Sequence, residues 1–538
     1  MAGLLFGITS VLFSVSIIAS CISWVSIWQD KEYSLKRLIV YLKETKTGRE
    51  ALIGRESLIR WLLIFLYSIT IFFDNADDFY HYLVFAFYLF ISAKVIKKIL
   101  SKDFSFPTLS FPTVFIIGLA LIVEFFLYLF APVDRFLWLL VLEKLLPIFI
   151  VMFIGIFYVF YDFSTDIIIN KALERIEKKP NLLTIAIAGS YGRGSTKEFI
   201  SNVLSLKFDV LATNTTFSNS LGIAKSIITG LTAKKQIFIA EMDDYNISDM
   251  EEMANIISPK IAVIGGINEQ KLSMFGSVDA ILESKKELIN ALSRDGIAIF
   301  NGNSEYAMRL YEETKQKKFI YFVDDGSGRK GDITATNIKE SRYGLSFDVE
   351  LLGRKYKLAS VKLLGRHNIE NLLPAIFIGV YVGLDFSSIR RAIDKIKPLG
   401  GAMDPRRMTN GPTVIDDTHN ANINSISRAL SYMSLYKGKK VLVLEPLVEL
   451  GKFAEDDHYK LGLEIGRVCD RLFLTNNNYS ASIIKGIKKS EGKCKYEVAP
   501  TSAIINFVRG KLGKPDVVVL EGKQAHNVLT SLKTTNIY

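Results

Sequence analysis

Residues Leu182–Phe199 read LLTIAIAGSYGRGSTKEF. An apolar, β-branched run breaks into glycines at Gly189, Gly192 and Gly194, and a helix-compatible segment follows. This is how a strand, a phosphate-cradling loop and a helix read in sequence. Small residues let backbone N–H groups approach a polyphosphate, and the helix N-terminus adds its positive dipole end. Gly189, Ser190, Gly192, Arg193, Gly194, Ser195 and Thr196 are therefore the candidate nucleotide-binding residues. The loop departs from the usual pattern, because Gly192-Arg193-Gly194 stands where a P-loop carries Gly-Lys-Thr.

C-terminal to this segment, strands alternate with helical patterns: Gln236–Met242, Lys260–Gly266, Gly296–Phe300 and Phe319–Val323. That rhythm predicts a mainly parallel sheet with helices on both faces. An apolar helix is expected at Asn371–Val382. A second α/β set starts at Thr413–Ile415 and continues through Val441–Glu445, Arg471–Thr475 and Asp516–Glu521, a doubly wound, Rossmann-like unit. The expected division is a membrane domain at 1–165, a linker at 166–180, a P-loop-type central α/β domain at 181–409 and a C-terminal α/β domain at 410–538.

The chain of 538 residues is 49% hydrophobic and carries 36 Phe, too apolar for a wholly soluble protein of this length. The excess lies before the loop. The runs Leu4–Trp28, Trp61–Phe73, Phe79–Ala93, Phe111–Phe130 and Phe136–Tyr161 read as an N-terminal transmembrane bundle of about five helices. The second and third are short, roughly 13–15 residues against about 20. The connection Gln29–Ser57 is rich in Lys and Arg, as is the one holding Lys94, Lys97, Lys98 and Lys102. The alternate connections hold Asp74, Asp77 and Asp78, then Asp134 and Arg135. Positive-inside logic puts the N-terminus outside and everything after Tyr161 in the cytoplasm of a multi-pass inner-membrane protein. Glu124, Glu143 and Lys144 fall within apolar runs, where a bundle-internal pair or snorkelling is expected.

The formal charge of +11 belongs mostly to membrane-proximal and surface basic residues. No basic stripe is interleaved with aromatics, so a nucleic-acid partner is not expected. Cys21, Cys469 and Cys494 lack metal-ligand spacing and read as reduced packing thiols.

In a parallel sheet, ligands sit at the carboxyl ends of strands. Glu241 falls at such an end, where a carboxylate suits Mg²⁺ on a nucleotide. Strand alternation puts Asp243 on the same face.

Six stretches then occur in a telling order: GSYGRGSTKEF, AEM (Ala240–Met242), FGSVDAILESKKEL (Phe275–Leu288), LLGRHNIENLLPA (Leu363–Ala375), VIDDTHNANINSISRAL (Val414–Leu430) and LEPLVELGKFAEDDH (Leu444–His458). Over Leu182–Lys533 the chain resembles the Mur ligases, most of all the branch that joins D-Ala-D-Ala to a cell-wall precursor. The resemblance implies ATP- and Mg²⁺-dependent amide formation. A substrate carboxylate takes the γ-phosphoryl group, and an amine then displaces phosphate from the acyl phosphate. It also implies roles. Glu241 would bind Mg²⁺; Lys285, once carbamylated, would help hold a second; Asn368 and Asn371 would lie beside adenine. Asp417 and Asn420 would meet the nucleotide and acyl phosphate on domain closure. His419 stands where the pattern has Tyr and is given no catalytic role.

Departures from that pattern cluster at the phosphates and metals. Arg193 replaces the loop lysine, Gly194 the metal-binding hydroxyl, Lys271 a metal-binding His, and Ala402 an arginine, with Arg406 and Arg407 close by. The soluble domain that holds a UDP-sugar in the family is replaced by membrane spans. The expected partners are thus a cell-wall or lipid-linked precursor, an amino acid or dipeptide, and membrane lipid. The alternative is a catalytically degenerate membrane scaffold that keeps the fold to bind nucleotide, precursor or a partner enzyme. Five spans without paired repeats, followed by a large cytosolic part, argue against a transporter.

Overall fold

A computed structural model describes residues 2–31, 33–70, 76–101, 104–214, 218–409, 411–419, 421–532 and 534–536. The chain divides into two compact units, Met1–Ser164 and Thr165–Tyr538.

The first unit is helical: α1 (Ala2–Asp30), α2 (Leu35–Glu44), α3 (Lys46–Ile53), α4 (Arg55–Thr70), α5 (Ala76–Leu100), α6 (Phe111–Leu129) and the first part of α7 (Arg135–Glu177). Among the described residues three helices are long and apolar enough to cross a membrane: Gly3–Asp30, Phe111–Leu129 and Arg135–Glu177. The expectation of about five is thereby reduced to three. With 16 residues, α4 extends only about 24 Å at 1.5 Å per residue, short of a hydrocarbon core of about 30 Å. In α5 the apolar stretch is bounded by Asp77 and Asp78 at one end and by Lys94, Lys97 and Lys98 at the other. The expected second run also extends to Phe73, outside the described residues. Inside the unit, Phe13, Tyr88, Ile116, Leu142 and Ile150 form the core, whereas Val11, Phe90, Phe125 and Ile148 face outward. Glu143 forms the bundle-internal pair, 2.6 Å from Arg60 and accepting from Ser16 and Ser20. Lys144 donates to Ser57 and lies over the Trp61 ring.

The stretch expected as a linker, 166–180, is helical as far as Glu177. It continues α7, and Ala172 is fully buried among Ile223, Ile227 and Met253.

The second unit opens with β1 (Leu183–Ala188), α8 (Arg193–Leu204), β2 (Val210–Ala212), α9 (Ser220–Gly230), β3 (Ile237–Glu241), α10 (Asp249–Ile257) and β4 (Ile261–Ile264). It continues with α11 (Leu272–Phe275), α12 (Val278–Asn290), β5 (Ile297–Asn301), α13 (Glu305–Glu313), β6 (Lys317–Val323), β7 (Ile333–Ser341), β8 (Gly344–Leu351), β9 (Arg354–Val361), α14 (His367–Tyr381) and α15 (Phe386–Ile393). The nine strands form one sheet in the order β2-β3-β1-β4-β5-β6-β7-β8-β9. Ile185 and Ile187 of β1 enter the core on one face, and Ala186 and Ala188 enter it on the other. Burial on both faces is what the uninterrupted apolar strands require. Strands β7–β9 add an antiparallel extension that the parallel rhythm did not foreshadow.

The last elements are β10 (Asp404–Arg407), β11 (Thr413–Asp417), α16 (Ile423–Met433), β12 (Lys440–Leu444), α17 (Ala454–Val468), β13 (Arg471–Leu474), α18 (Ser480–Lys489), β14 (Lys495–Val498), α19 (Thr501–Lys511), β15 (Val517–Glu521), α20 (His526–Ser531) and β16 (Thr535–Asn536). Their sheet runs β14-β13-β12-β15-β11-β10-β16. Because β10 pairs antiparallel with β11, the expected boundary at 409/410 moves back to about residue 403. Arg406 serves this sheet, 3.1 Å from Asp404 and 3.4 Å from Asp416, and is not a substitute for the missing arginine at 402.

Candidate active site

The loop between β1 and α8 is shaped by two glycines. Gly189 lies at φ +147°, where a Cβ would come 3.1 Å from the Gly266 carbonyl oxygen; Gly192 lies at φ +78°, where a Cβ would collide with Asn371 Oδ1. Only glycine meets both demands. The loop is tied to the end of β4: Ser190 N donates to Gly266 O (2.7 Å), and Asn268 N donates to Ser190 Oγ (3.1 Å). Gly192 caps α8 without a side chain, so the N–H groups of Arg193, Gly194 and Ser195 start the helix without intrahelical partners. That is a ready anion cradle.

Arg193 folds back across it. Its guanidinium donates to the Gly189 carbonyl, lies 2.9 Å from Asp243 Oδ1 and brings Nε to 3.8 Å from Glu241. One turn later Lys197, with no exposed surface, sets Nζ 3.2 Å from Glu241 Oε2. Lys271 lies 2.5 Å from Asp243 and donates to the Asp244 carbonyl at 2.8 Å. Lys285, 2% exposed, lies 2.5 Å from Asp244 Oδ1, and Ser284 donates to the other oxygen. Burial pushes the Asp243 carboxyl up, but Arg193 and Lys271 overcome it and hold it well below the usual carboxylate range. Asp244 is likewise lowered against its burial by Lys285 and Lys271. Burial lowers Lys285 despite Asp244.

The two asparagines expected beside adenine lie in the first turns of α14. Asn368 is buried and gives its amide to the Leu364 carbonyl (2.7 Å), while Asn371 bridges Thr196 (3.4 Å) and Asn368 (3.3 Å). Only Asn371 touches the loop; Asn368 braces the start of α14.

Side chains of α16 bring the C-terminal domain against the loop and its neighbours. Arg428 of α16 lies 3.2 Å from both oxygens of Glu370 and stacks over the Tyr191 ring at 4.7 Å. Asn268 donates to Asn424 at 2.9 Å. Asp417 closes β11 and is within electrostatic reach of Arg428. It accepts from Met403 N (3.0 Å) in the interdomain connection and is the register partner of Glu521 on β15. Burial raises its pKa to about 6, and burial together with Asp417 raises Glu521 as well. Asn420 lies outside the described residues. His419, given no role above, is within electrostatic reach of Glu241, Arg193 and Lys197; burial lowers its pKa.

A carboxyl whose folded pKa exceeds its unfolded value favours the folded state at low pH. The contribution is complete below the unfolded value of about 3.9 and disappears as pH rises through about 6. Asp417→Asn keeps an acceptor for Met403 and removes the Asp417 share of this dependence, leaving that of the buried Glu521. The expected outcome is a smaller difference in Tm between pH 5 and pH 8 than in the wild type, with the gain at pH 8, measured by thermal denaturation.

Comparison with known proteins matches the Mur ligase middle domain to residues 187–379 and the Mur ligase glutamate ligase domain to residues 403–524. This is a Mur ligase module. The UDP-N-acetylmuramoyl-tripeptide–D-alanyl-D-alanine ligase of Haemophilus influenzae is 25% identical over 379 residues, covering 69% of this chain and 81% of its own. That of Bacillus subtilis is 26% identical over 345 residues, covering 63% and 73%. Among solved structures, Thermotoga maritima MurF in complex with ADP superposes with a TM-score of 0.61 at 20% identity, covering 69% of this chain and 83% of its own. Acinetobacter baumannii MurF gives 0.61 at 21% identity, covering 68% and 79%. These likenesses show the fold.

A Mur ligase module implies nucleotide and Mg²⁺, and the residues fit the two differently. The open amides of α8 and the surrounding cations fit a phosphate chain. A protein-bound Mg²⁺ does not fit. Glu241 is engaged by Lys197 and Arg193; Asp243 by Arg193, Lys271 and the Tyr245 hydroxyl; Asp244 by Lys285 and Ser284. No group of three or more His, Cys, Asp or Glu among the described residues is arranged to hold a metal ion. A carbamate on Lys285 would set a second anion against Asp244, where the unmodified lysine forms a direct ion pair.

Proposed function

We propose that this protein is a Mur-type ATP-dependent amide ligase of cell-wall precursor synthesis whose acceptor is attached to the membrane. The observation that carries the reading is the start of α8. Three open backbone amides at the carboxyl end of β1 are ringed by side-chain cations and covered by the C-terminal domain through Arg428 and Glu370. Phosphoryl transfer rests mainly on positioned positive charge. The acceptor carboxylate attacks the γ-phosphorus and ADP leaves; the donor amine then attacks the acyl carbon and phosphate leaves. Helix-start amides and the charges of Arg193 and Lys271 stabilise the transferring group. A cavity of about 180 Å³ between the two domains, bordered by Glu269, Asn424, Leu447 and Asp457, suits a small amine donor, its carboxylates meeting an ammonium. The named activity of the relatives supports D-alanyl-D-alanine as the first donor to try.

Three or five crossings are both odd numbers. An odd number of crossings would put the residues after the last span on the side opposite the N-terminus, and the basic stretch Gln29–Ser57 supports a cytoplasmic module. A bilayer-embedded unit in place of a soluble precursor-binding domain supports a lipid-attached acceptor. The full chain in lipid nanodiscs, given ATP and D-alanyl-D-alanine, is expected to amidate lipid-linked precursor and ignore UDP-linked precursor; the reverse preference contradicts this. Arg193, lying across the cradle, favours a second reading, a nucleotide- or precursor-binding scaffold. That reading predicts binding without phosphate release.

A further inference from the structure

The strand-end cluster holds four side-chain cations, Arg193, Lys197, Lys271 and Lys285, against three carboxylates, Glu241, Asp243 and Asp244. We infer that these cations take the place of divalent metal in this module: the protein neutralises its own acidic residues, and none of them ligates Mg²⁺ when nucleotide binds. The inference deepens the proposed function and rests on the reading of this site as a triphosphate site.

Every oxygen of the three carboxylates already has a cationic or hydroxyl partner within ion-pair distance. Mg²⁺ demands near-ideal octahedral contacts of about 2.0–2.1 Å and dehydrates reluctantly. To enter, it would have to expel ammonium groups and then remain beside them. The lysines are not loosely placed. Lys197 and Lys285 are buried, with 0% and 2% exposure. Lys271 adopts φ +72°, a conformation uncommon for a side-chain-bearing residue, and its ammonium is fastened by Asp243, by the Asp244 carbonyl and by the Tyr245 ring at 3.9 Å. Where the family pattern has a hydroxyl for the metal, Gly194 offers none; a Cβ there would lie 3.5 Å from Glu241 Oε2. The hydroxyl and the histidine of the metal-binding pattern are thus absent, and the lysine that the pattern carbamylates is paired with Asp244. In their place stands a surplus of one positive charge facing the open amides of α8.

The test uses the full-length chain in detergent micelles and Mn²⁺ as the probe, read by electron paramagnetic resonance. Wild type is expected to bind no Mn²⁺ at this site at millimolar concentration. Arg193→Ala with Lys271→Ala, which frees Asp243, is expected to gain Mn²⁺ affinity on the order of a hundredfold. Stoichiometric Mn²⁺ binding by wild type that is lost in Glu241→Gln, with the variant shown to be folded by circular dichroism, overturns the inference. In parallel, ATP affinity in excess EDTA is expected to stay within about twofold of that in Mg²⁺; a loss of about tenfold or more in EDTA overturns it. Absence of ATP binding under both conditions sinks the proposed function, while the Mn²⁺ result still decides the metal question.

Discussion

Lys197→Met lowers the stability of the central domain by about 3–5 kcal/mol, the expected loss when one partner of a buried ion pair is removed. Methionine keeps the length and helix propensity of the side chain, so the effect isolates the charge. Lys197 has no exposed surface, and its ammonium faces Glu241, itself 6% exposed. Without it, the ion-pair partner left to Glu241 among the described residues is the more distant Arg193 Nε. Adding Glu241→Gln removes the stranded charge, so the double variant should recover much of the loss, a coupling that a double-mutant cycle of thermal denaturation measures. Additive losses would show that the pair is not a unit.

Rebuilding the loop is expected to weaken nucleotide binding. Arg193→Lys with Gly194→Thr restores the usual Gly-Lys-Thr, yet ATP affinity in EDTA should fall by about tenfold, the equivalent of one charge-assisted hydrogen bond. A guanidinium reaches the Gly189 carbonyl and Asp243 together, whereas a compact ammonium cannot span both. A threonine at 194 would set its Cβ 3.5 Å from Glu241 Oε2 and 3.4 Å from Leu399 Cδ2, adding a hydroxyl beside the carboxylate that Arg193 and Lys197 now hold. Equilibrium binding with a fluorescent ATP analogue checks this. Tighter binding would mean a loop decayed from the usual one instead of adapted to its own cations.

The loop, the parallel strands and the second α/β unit were legible because apolar runs ending in Gly189 or Glu241 carry a period and a stop signal. Strand β10 was not: Asp404-Pro405-Arg406-Arg407 has no apolar alternation and is held by pairing with β11, a tertiary contact. The hairpins β7–β9 lie between better-marked elements and join the sheet at its edge. Lys197 escaped notice although its spacing from Arg193, one helical turn on α8, places both heads toward Glu241. Asp244 and His419 also went unassigned, since a carboxylate's partner depends on which helix crosses its strand end. The partners of Asp417, Met403 N and Glu521, come from the interdomain connection and from β15, which its own sequence stretch does not name.

The most direct measurement follows oxygen from acceptor to phosphate. The full-length chain in nanodiscs receives ATP, D-alanyl-D-alanine and a lipid-linked precursor whose acceptor carboxylate carries heavy oxygen. The account predicts one heavy oxygen in each phosphate released, matched by one amide formed. Unlabelled phosphate, or no phosphate at all while ATP still binds, would contradict it.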